Sequence, residues 1–141
     1  MTANGLIDTG VIVAVVDRKD PWHASCVEAL RELRPPLLTS VAVLAEVFHL
    51  LSRDRVDIEV TWDFLGSGIV AIGPITDADL PHLHSLMSKY GDQPMDFADA
   101  TLVHLARRES IDTILTLDRN FEIYRIQGRQ GFNILPTARL Q

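Results

Sequence analysis

Short apolar runs alternate along this chain with longer stretches of helical periodicity. Leu6-Ile7 is a brief apolar run that ends at Asp8, and residues 9–16 (TGVIVAVV) continue it without a polar break. A strand from 6 to 16 would be long for a small α/β domain, so the pattern predicts a strand ending at Asp8 and a helix capped by Thr9. Residues 21–33 repeat apolar side chains at helical spacing: Trp22, Cys26, Ala29, Leu30 and Leu33. Asp20 is the expected N-cap there, Pro21 the first helical residue and Pro35-Pro36 the stop. Residues 37–39 form a short strand. Ser40 then caps a helix over 41–52 that is apolar on nearly every side and therefore expected to be buried.

The second half repeats the scheme. A helix over 58–65 is closed by Gly66 and Gly68, and a strand covers 69–72. A helix over 77–90 is capped by Thr76 and ended by Gly91. Another opens at Pro94-Met95-Asp96 and runs to about residue 108. Strands over 112–117 and 132–135 follow. Strands separated by helices call for right-handed crossovers, which give an α/β fold with a mostly parallel sheet of four to five short strands and helices on both faces.

Composition narrows the class. A length of 141 residues suits one domain spanning 1–141, with a core large enough to need no covalent staples. With 47% hydrophobic and 23% charged residues the chain is neither disordered nor fibrous. The single cysteine, Cys26, excludes an internal disulfide framework and a cysteine-based zinc site, and it suits a reducing compartment. The first residues carry neither a basic nor an apolar leader pattern, and no apolar run has membrane-spanning length. The expectation is a soluble cytoplasmic protein with no membrane role.

The net charge of −6 speaks against binding nucleic acid. It is unevenly spread. Six arginines (107, 108, 119, 125, 129 and 139) against four acids leave residues 107–141 at +2 and the first 106 residues at −8. Aromatics are 6% of the chain, too few for an extended base-stacking surface. The histidines show no ligand spacing shared with acids, and Trp22 and Trp62 read first as packing or interface residues.

Asp8 and Asp118 each follow an apolar strand, where the crevice of an open parallel sheet binds its ligands. Glu46 stands inside an apolar helix, between VAVLA and VFHLL, where an ionised carboxylate is costly without compensation. Asp96 and Asp99 share a helix face and make a capping-box-like pair, with Asp99 at the edge of an apolar side. Brought into one crevice, these acids would repel one another and raise each other's pKa values unless a cation intervened. Hard oxygen donors without cysteine favour Mg²⁺ or Mn²⁺, and such an ion can activate water against a phosphodiester.

Four motifs in order, LIDTGVIVAVV, TSVAVLAEVFHLL, MDFADATLVHLA and ILTLDRNF, resemble the PIN-domain nucleases, and among them the VapC-type ribonuclease toxins of prokaryotic toxin–antitoxin pairs. The resemblance covers essentially the whole chain. It implies a three-layer α/β/α sandwich, Mg²⁺- or Mn²⁺-dependent endoribonuclease activity on RNA, a homodimer and a cognate antitoxin. By the same resemblance Asp8, Glu46, Asp99 and Asp118 are the catalytic and metal-binding acids and Asp96 is an accessory acid. Thr9, Ser40 and Thr116 fall where the family places hydroxyls beside the acids. Arg119, next to Asp118, and Arg18-Lys19, in the loop after the first helix, are the expected RNA contacts.

Other readings fit less well. Asp8-Thr9-Gly10 also matches an aspartic-protease signature, but that fold is all-β. A haloacid-dehalogenase-type phosphatase needs an acid where Gly10 stands, and a receiver domain needs a lysine after a late strand, where this chain has none. A catalytically weak PIN-like module that binds RNA or protein is the non-enzyme alternative.

Overall fold

The computed structural model describes residues 3–137. Met1, Thr2 and residues 138–141, with them Arg139 of the basic tail, lie outside the described residues. Five short strands form one sheet: β1 (Leu6–Ile7), β2 (Leu37–Thr39), β3 (Val70–Ile72), β4 (Thr113–Leu115) and β5 (Asn133–Leu135). Six helices connect or flank them: α1 (Thr9–Val16), α2 (His23–Arg31), α3 (Val41–Leu50), α4 (Arg55–Leu65), α5 (Leu80–Lys89) and α6 (Phe97–Glu109). Every strand pair is parallel, and the order across the sheet is β3-β2-β1-β4-β5.

That order contains one reversal. From β1 the chain steps outward to β2 and β3, then crosses back to β4 and β5 on the other side. Right-handed crossovers put helices on opposite faces when the direction of travel reverses. Accordingly α1 packs against α2, α3 and α4, while α5 packs against α6. The result is a three-layer α/β/α sandwich with its switch point between β1 and β4. Leu6, Ile7, Ile114 and Leu115 are fully buried there between the helix layers.

Local rules explain most element ends. Asp54 caps α4 through the peptide N–H of Asp57, so this helix starts one turn before the expected residue 58. Asp96 and Asp99 form a complete capping box at the start of α6. Thr76 and Asp79 form another, but it opens a 3₁₀ turn, Asp77–Asp79, ahead of α5. Asp20 does not cap α2 directly. Its carboxylate accepts from the N–H of Trp22, forming a turn that delays the helix to His23.

Two further expectations fail. Asp8, not Thr9, caps α1: its side chain accepts from the Thr9 peptide N–H at 2.7 Å. And α3 is not a buried helix. Val43 and Val47 are fully buried, whereas Val41 and Leu50 are 67% and 63% exposed. It lies over the rim of the domain, so its apolar character exceeds what this chain alone can cover.

Gly73 follows β3 and lies against Leu105 of α6. A Cβ there would lie 2.7 and 2.9 Å from the two δ-methyl carbons of the fully buried Leu105. Gly73→Ala is expected to lower stability by about 1–3 kcal/mol, the range for overpacking a filled core. A reduced urea midpoint at unchanged m-value would register it. In a Leu105→Ala background the added methyl should carry no such cost, and an undiminished cost there would exclude this contact as the cause.

Candidate active site

The switch point brings the carboxyl ends of β1 and β4 side by side, and the loops after them build a crevice. Asp8 follows β1 directly. One of its oxygens accepts from the Thr9 N–H, and the other accepts from the Thr116 hydroxyl at 2.7 Å. Thr116 Oγ1 in turn accepts from the Asp118 N–H at 3.0 Å. One hydroxyl thus fixes the acid after β1 and the loop that carries the acid after β4. Asp118 caps the 3₁₀ turn Arg119–Glu122, accepting from the Asn120 N–H.

The other acids arrive from helices at the same edge. Glu46, half-buried on α3, accepts from the Thr9 hydroxyl at 2.8 Å. Asp99, buried on the first turn of α6, keeps its reciprocal bonds with Asp96. All five acids, Asp8, Glu46, Asp96, Asp99 and Asp118, line one cavity of about 430 Å³ with Thr9, Gly10, Pro94, Leu117 and Asn120. Among the described residues no arginine, lysine or histidine lines it.

Electrostatics follow from that lining. Burial pushes Asp8 up to about 6 despite the Thr116 and Thr9 hydrogen bonds, and Asp118 and Glu46 add repulsion. Asp99 is pushed up to about 8, first by burial and then by Asp96, Asp8 and Asp118, against the Asp96 N–H bond that favours its ionised form. Glu46 is raised by burial and by Asp96 beside it, with the Thr9 hydroxyl opposing.

A divalent cation fits this donor set. The donors are all hard oxygens, their mutual repulsion lacks an internal counter-charge, and each hydrogen-bonded carboxylate oxygen keeps a second lone pair. Among the described residues no three His, Cys, Asp or Glu side chains already stand close enough together to grip an ion.

Several expected site residues lie elsewhere. The Ser40 hydroxyl caps α3 at the Val43 N–H and bonds to Thr101 Oγ1 at 2.8 Å, tying α3 to α6 and touching no acid. Arg18 and Lys19 follow α1, whose axis carries the chain away from Asp8. At about 1.5 Å per residue they stand about 12 Å or more from Asp8, at the opposite end of the helix. Arg119 is at the crevice mouth by position, but its side chain is exposed and pairs with Glu122 at 3.0 Å.

Sequence reasoning passed over two residues. Asn120 lines the cavity, with only its spacing after Asp118 to mark it. Tyr124 is fully buried, and its hydroxyl has no hydrogen-bond partner among the described residues. Burial raises its pKa, and Asp99 is first among the acids that raise it further. Nothing in the local pattern around Tyr124 signals that proximity. Beyond Glu46 and Asp96 the crevice adjoins a larger groove of about 760 Å³, lined by Val41, Ala45, Ile72 and Phe97 among others.

A parallel α/β/α sandwich with an uncompensated carboxylate cluster at its switch point is the class that fold and site define. The chain belongs to the PIN-domain family, whose sequence model, PIN domain, matches residues 5–127. It is 34% identical over 134 residues to Ribonuclease VapC26 of Mycobacterium tuberculosis, a match covering 93% of this chain and 99% of that protein. Among solved structures it resembles Mycobacterium tuberculosis VapC20, described as a Sarcin-Ricin loop cleaving toxin. The TM-score is 0.75 at 22% identity, over 85% of this chain and 94% of that one. VapBC2 from Rickettsia felis, bound to a DNA fragment from their promoter, matches with a TM-score of 0.65 at 15% identity, over 92% and 97% of the two chains. At these identities the two structures establish the shared fold.

The raised acids make a stability prediction. With Asp99 at about 8 in the folded protein and near 3.8 when unfolded, only the folded state holds its proton between those values. Stability without divalent ions should therefore fall as pH rises from about 4 to about 8. Asp99→Asn removes that contribution, so its melting temperature in a chelator should exceed the wild type's at pH 8 and converge with it near pH 4. Parallel pH profiles for the two proteins would refute the assignment.

Proposed function

We propose that this chain is a metal-dependent endoribonuclease acting as the toxin of a toxin–antitoxin pair. The observation that carries the reading is the cavity lined by five acids and no base, in a chain 34% identical to a ribonuclease over nearly its whole length. Asp8 and Asp99 are the acids that would hold Mg²⁺ or Mn²⁺ most directly, with Glu46 and Asp118 completing the set or orienting the attacking water. When bound, the ion supplies water activation and neutralises charge developing on the phosphodiester.

The chain's own groups supply orientation. Thr116 holds the Asp8 carboxylate and the Asp118 backbone in one register. Thr9 turns Glu46 toward the crevice, and Asp96 fixes the first turn of α6 beneath Asp99. Such supporting hydrogen bonds commonly matter about 10–100-fold in metal affinity or activity. Arg119, freed from Glu122, is the basic side chain placed to meet an RNA phosphate at the mouth.

The partners follow the same reading. The groove beside Glu46 and Asp96 suits an antitoxin segment with apolar side chains and one Arg or Lys reaching the acids. Exposed Val56, Val60 and Trp62 on α4 support a homodimer. No helix among the described residues is long and apolar enough to cross a membrane, and a cytoplasmic site of action is part of the proposal.

Purified protein free of any partner should cleave RNA with Mg²⁺ or Mn²⁺ and lose cleavage in a chelator. Asp8→Asn and Asp99→Asn should each reduce it ~100-fold or more with an unchanged circular dichroism spectrum. Wild-type protein that cuts no RNA with either ion would overturn the reading. Arg119→Ala should weaken RNA binding and flatten the log–log salt dependence by about 0.7, the contribution of one single-strand phosphate contact. An unchanged slope removes Arg119 from the substrate path.

A further inference from the structure

A second polar cavity lies between α5 and α6, toward the far end of α6 from the acids. Its volume is about 340 Å³, and Asp79, His82, His104, Arg107 and Arg108 are its whole lining. No apolar side chain contributes. On a chain of net charge −6, its lining carries two arginines and one carboxylate.

Its hydrogen atoms can be assigned from donor chemistry alone. Arg107 can only donate, so His82 Nε2, 3.2 Å from Arg107 Nη1, accepts. The His82 hydrogen is then on Nδ1 and points at His104 Nδ1, 2.7 Å away. His104 therefore carries its own hydrogen on Nε2, which lies 2.9 Å from Asp79 Oδ1. Burial first, and then the positive charge of Arg107, holds His82 below the usual histidine range, as suits an imidazole nitrogen that accepts from a guanidinium.

The two arginines differ. Arg108 is committed: Nε pairs with Glu109, and Nη1 reaches the Pro74 carbonyl and Asp79. Arg107 has no carboxylate partner among the described residues, and its one acceptor is a neutral imidazole. A guanidinium facing a polar cavity with so weak an acceptor, beside the unused Nη2 of Arg108, presents several free donors to an anion.

We propose that the α5–α6 cavity is a phosphate-binding site, with Arg107 as its main ligand and the His82–His104 pair as its floor. A phosphate oxygen would replace His82 Nε2 as the acceptor of Arg107, leaving that nitrogen free to take a proton and donate in turn. Arg107 and Asp99 are eight residues apart on α6, about 12 Å along its axis. Arg108 also ties the cavity to Pro74, which lines the groove beside the acids. The phosphate can therefore come from an RNA strand leaving the active site, which rests on the ribonuclease reading, or from free phosphate, which does not.

Inorganic phosphate titrated into the full-length protein, with the imidazole nitrogens followed by ¹⁵N NMR, should shift His82 and His104 saturably. Arg107→Gln, an exposed substitution far from the acids, should abolish the shift, and Arg107→Lys should restore part of it. In parallel, the Asp8→Asn protein should bind a long single-stranded RNA several-fold more tightly than the Asp8→Asn/Arg107→Gln protein, with no difference for a dinucleotide. Phosphate shifts without that length-dependent loss assign the site to free phosphate. No phosphate shift and no loss overturn the site, even where wild-type protein cleaves RNA. Failure of wild-type cleavage with the phosphate shift intact overturns only the ribonuclease reading.

Discussion

A carboxylate taken out of water must be met by donors, and Asp8 is met by two from different ends of the chain. The Thr9 peptide comes from the helix that Asp8 itself caps. The Thr116 hydroxyl comes from the residue just after the neighbouring strand, 108 residues on. Because Thr116 also accepts from the Asp118 peptide, this one hydroxyl couples the exit of β1 to the exit of β4. The parallel pairing of those two strands sets the distance, and the hydroxyl sets the orientation. The acids that helices contribute converge on the point so defined.

Two donors do not compensate five acids. Asp8 and Asp99 both stand above the ordinary carboxylate range because burial and their neighbours oppose ionisation. A buried like-charge cluster of this kind costs stability in the absence of a cation and gains it when one binds, so ion binding and folding are linked. The net charge of −6 then has a different meaning from the one it first suggests. These five acids contribute −5 of it, and a divalent ion among them would turn a phosphate-repelling crevice into a phosphate-holding one.

The misplaced residues show where local reasoning stops. Arg18 and Lys19 follow the helix that begins at Asp8, yet a helix carries its far end away from its start, so neighbours in sequence become opposite ends in space. Ser40 has the residue type and spacing for a site hydroxyl, but Thr101 from α6 claims it. The apolar composition of α3 suggests burial, but packing on α1 and α6 leaves Val41 and Leu50 outside. His82, His104 and Asp79 give no ligand-like spacing, because they meet only when α5 lies across α6.

By itself the sequence determined what depends on a few consecutive residues. Hydrophobic period set strand against helix, Ser40 and the Asp96–Asp99 box set helix starts, and apolar runs placed Asp8 and Asp118 at strand ends. These follow from hydrogen bonds and side-chain spacing within one or two turns, which are short-range and carried by residue type. Tertiary structure alone decided the strand order, and through it which acids share a cavity, which hydroxyl holds which carboxylate, and which side chains meet between α5 and α6. Those outcomes depend on contacts between segments tens of residues apart, which exist only once β1 and β4 lie side by side and the helices have taken opposite faces.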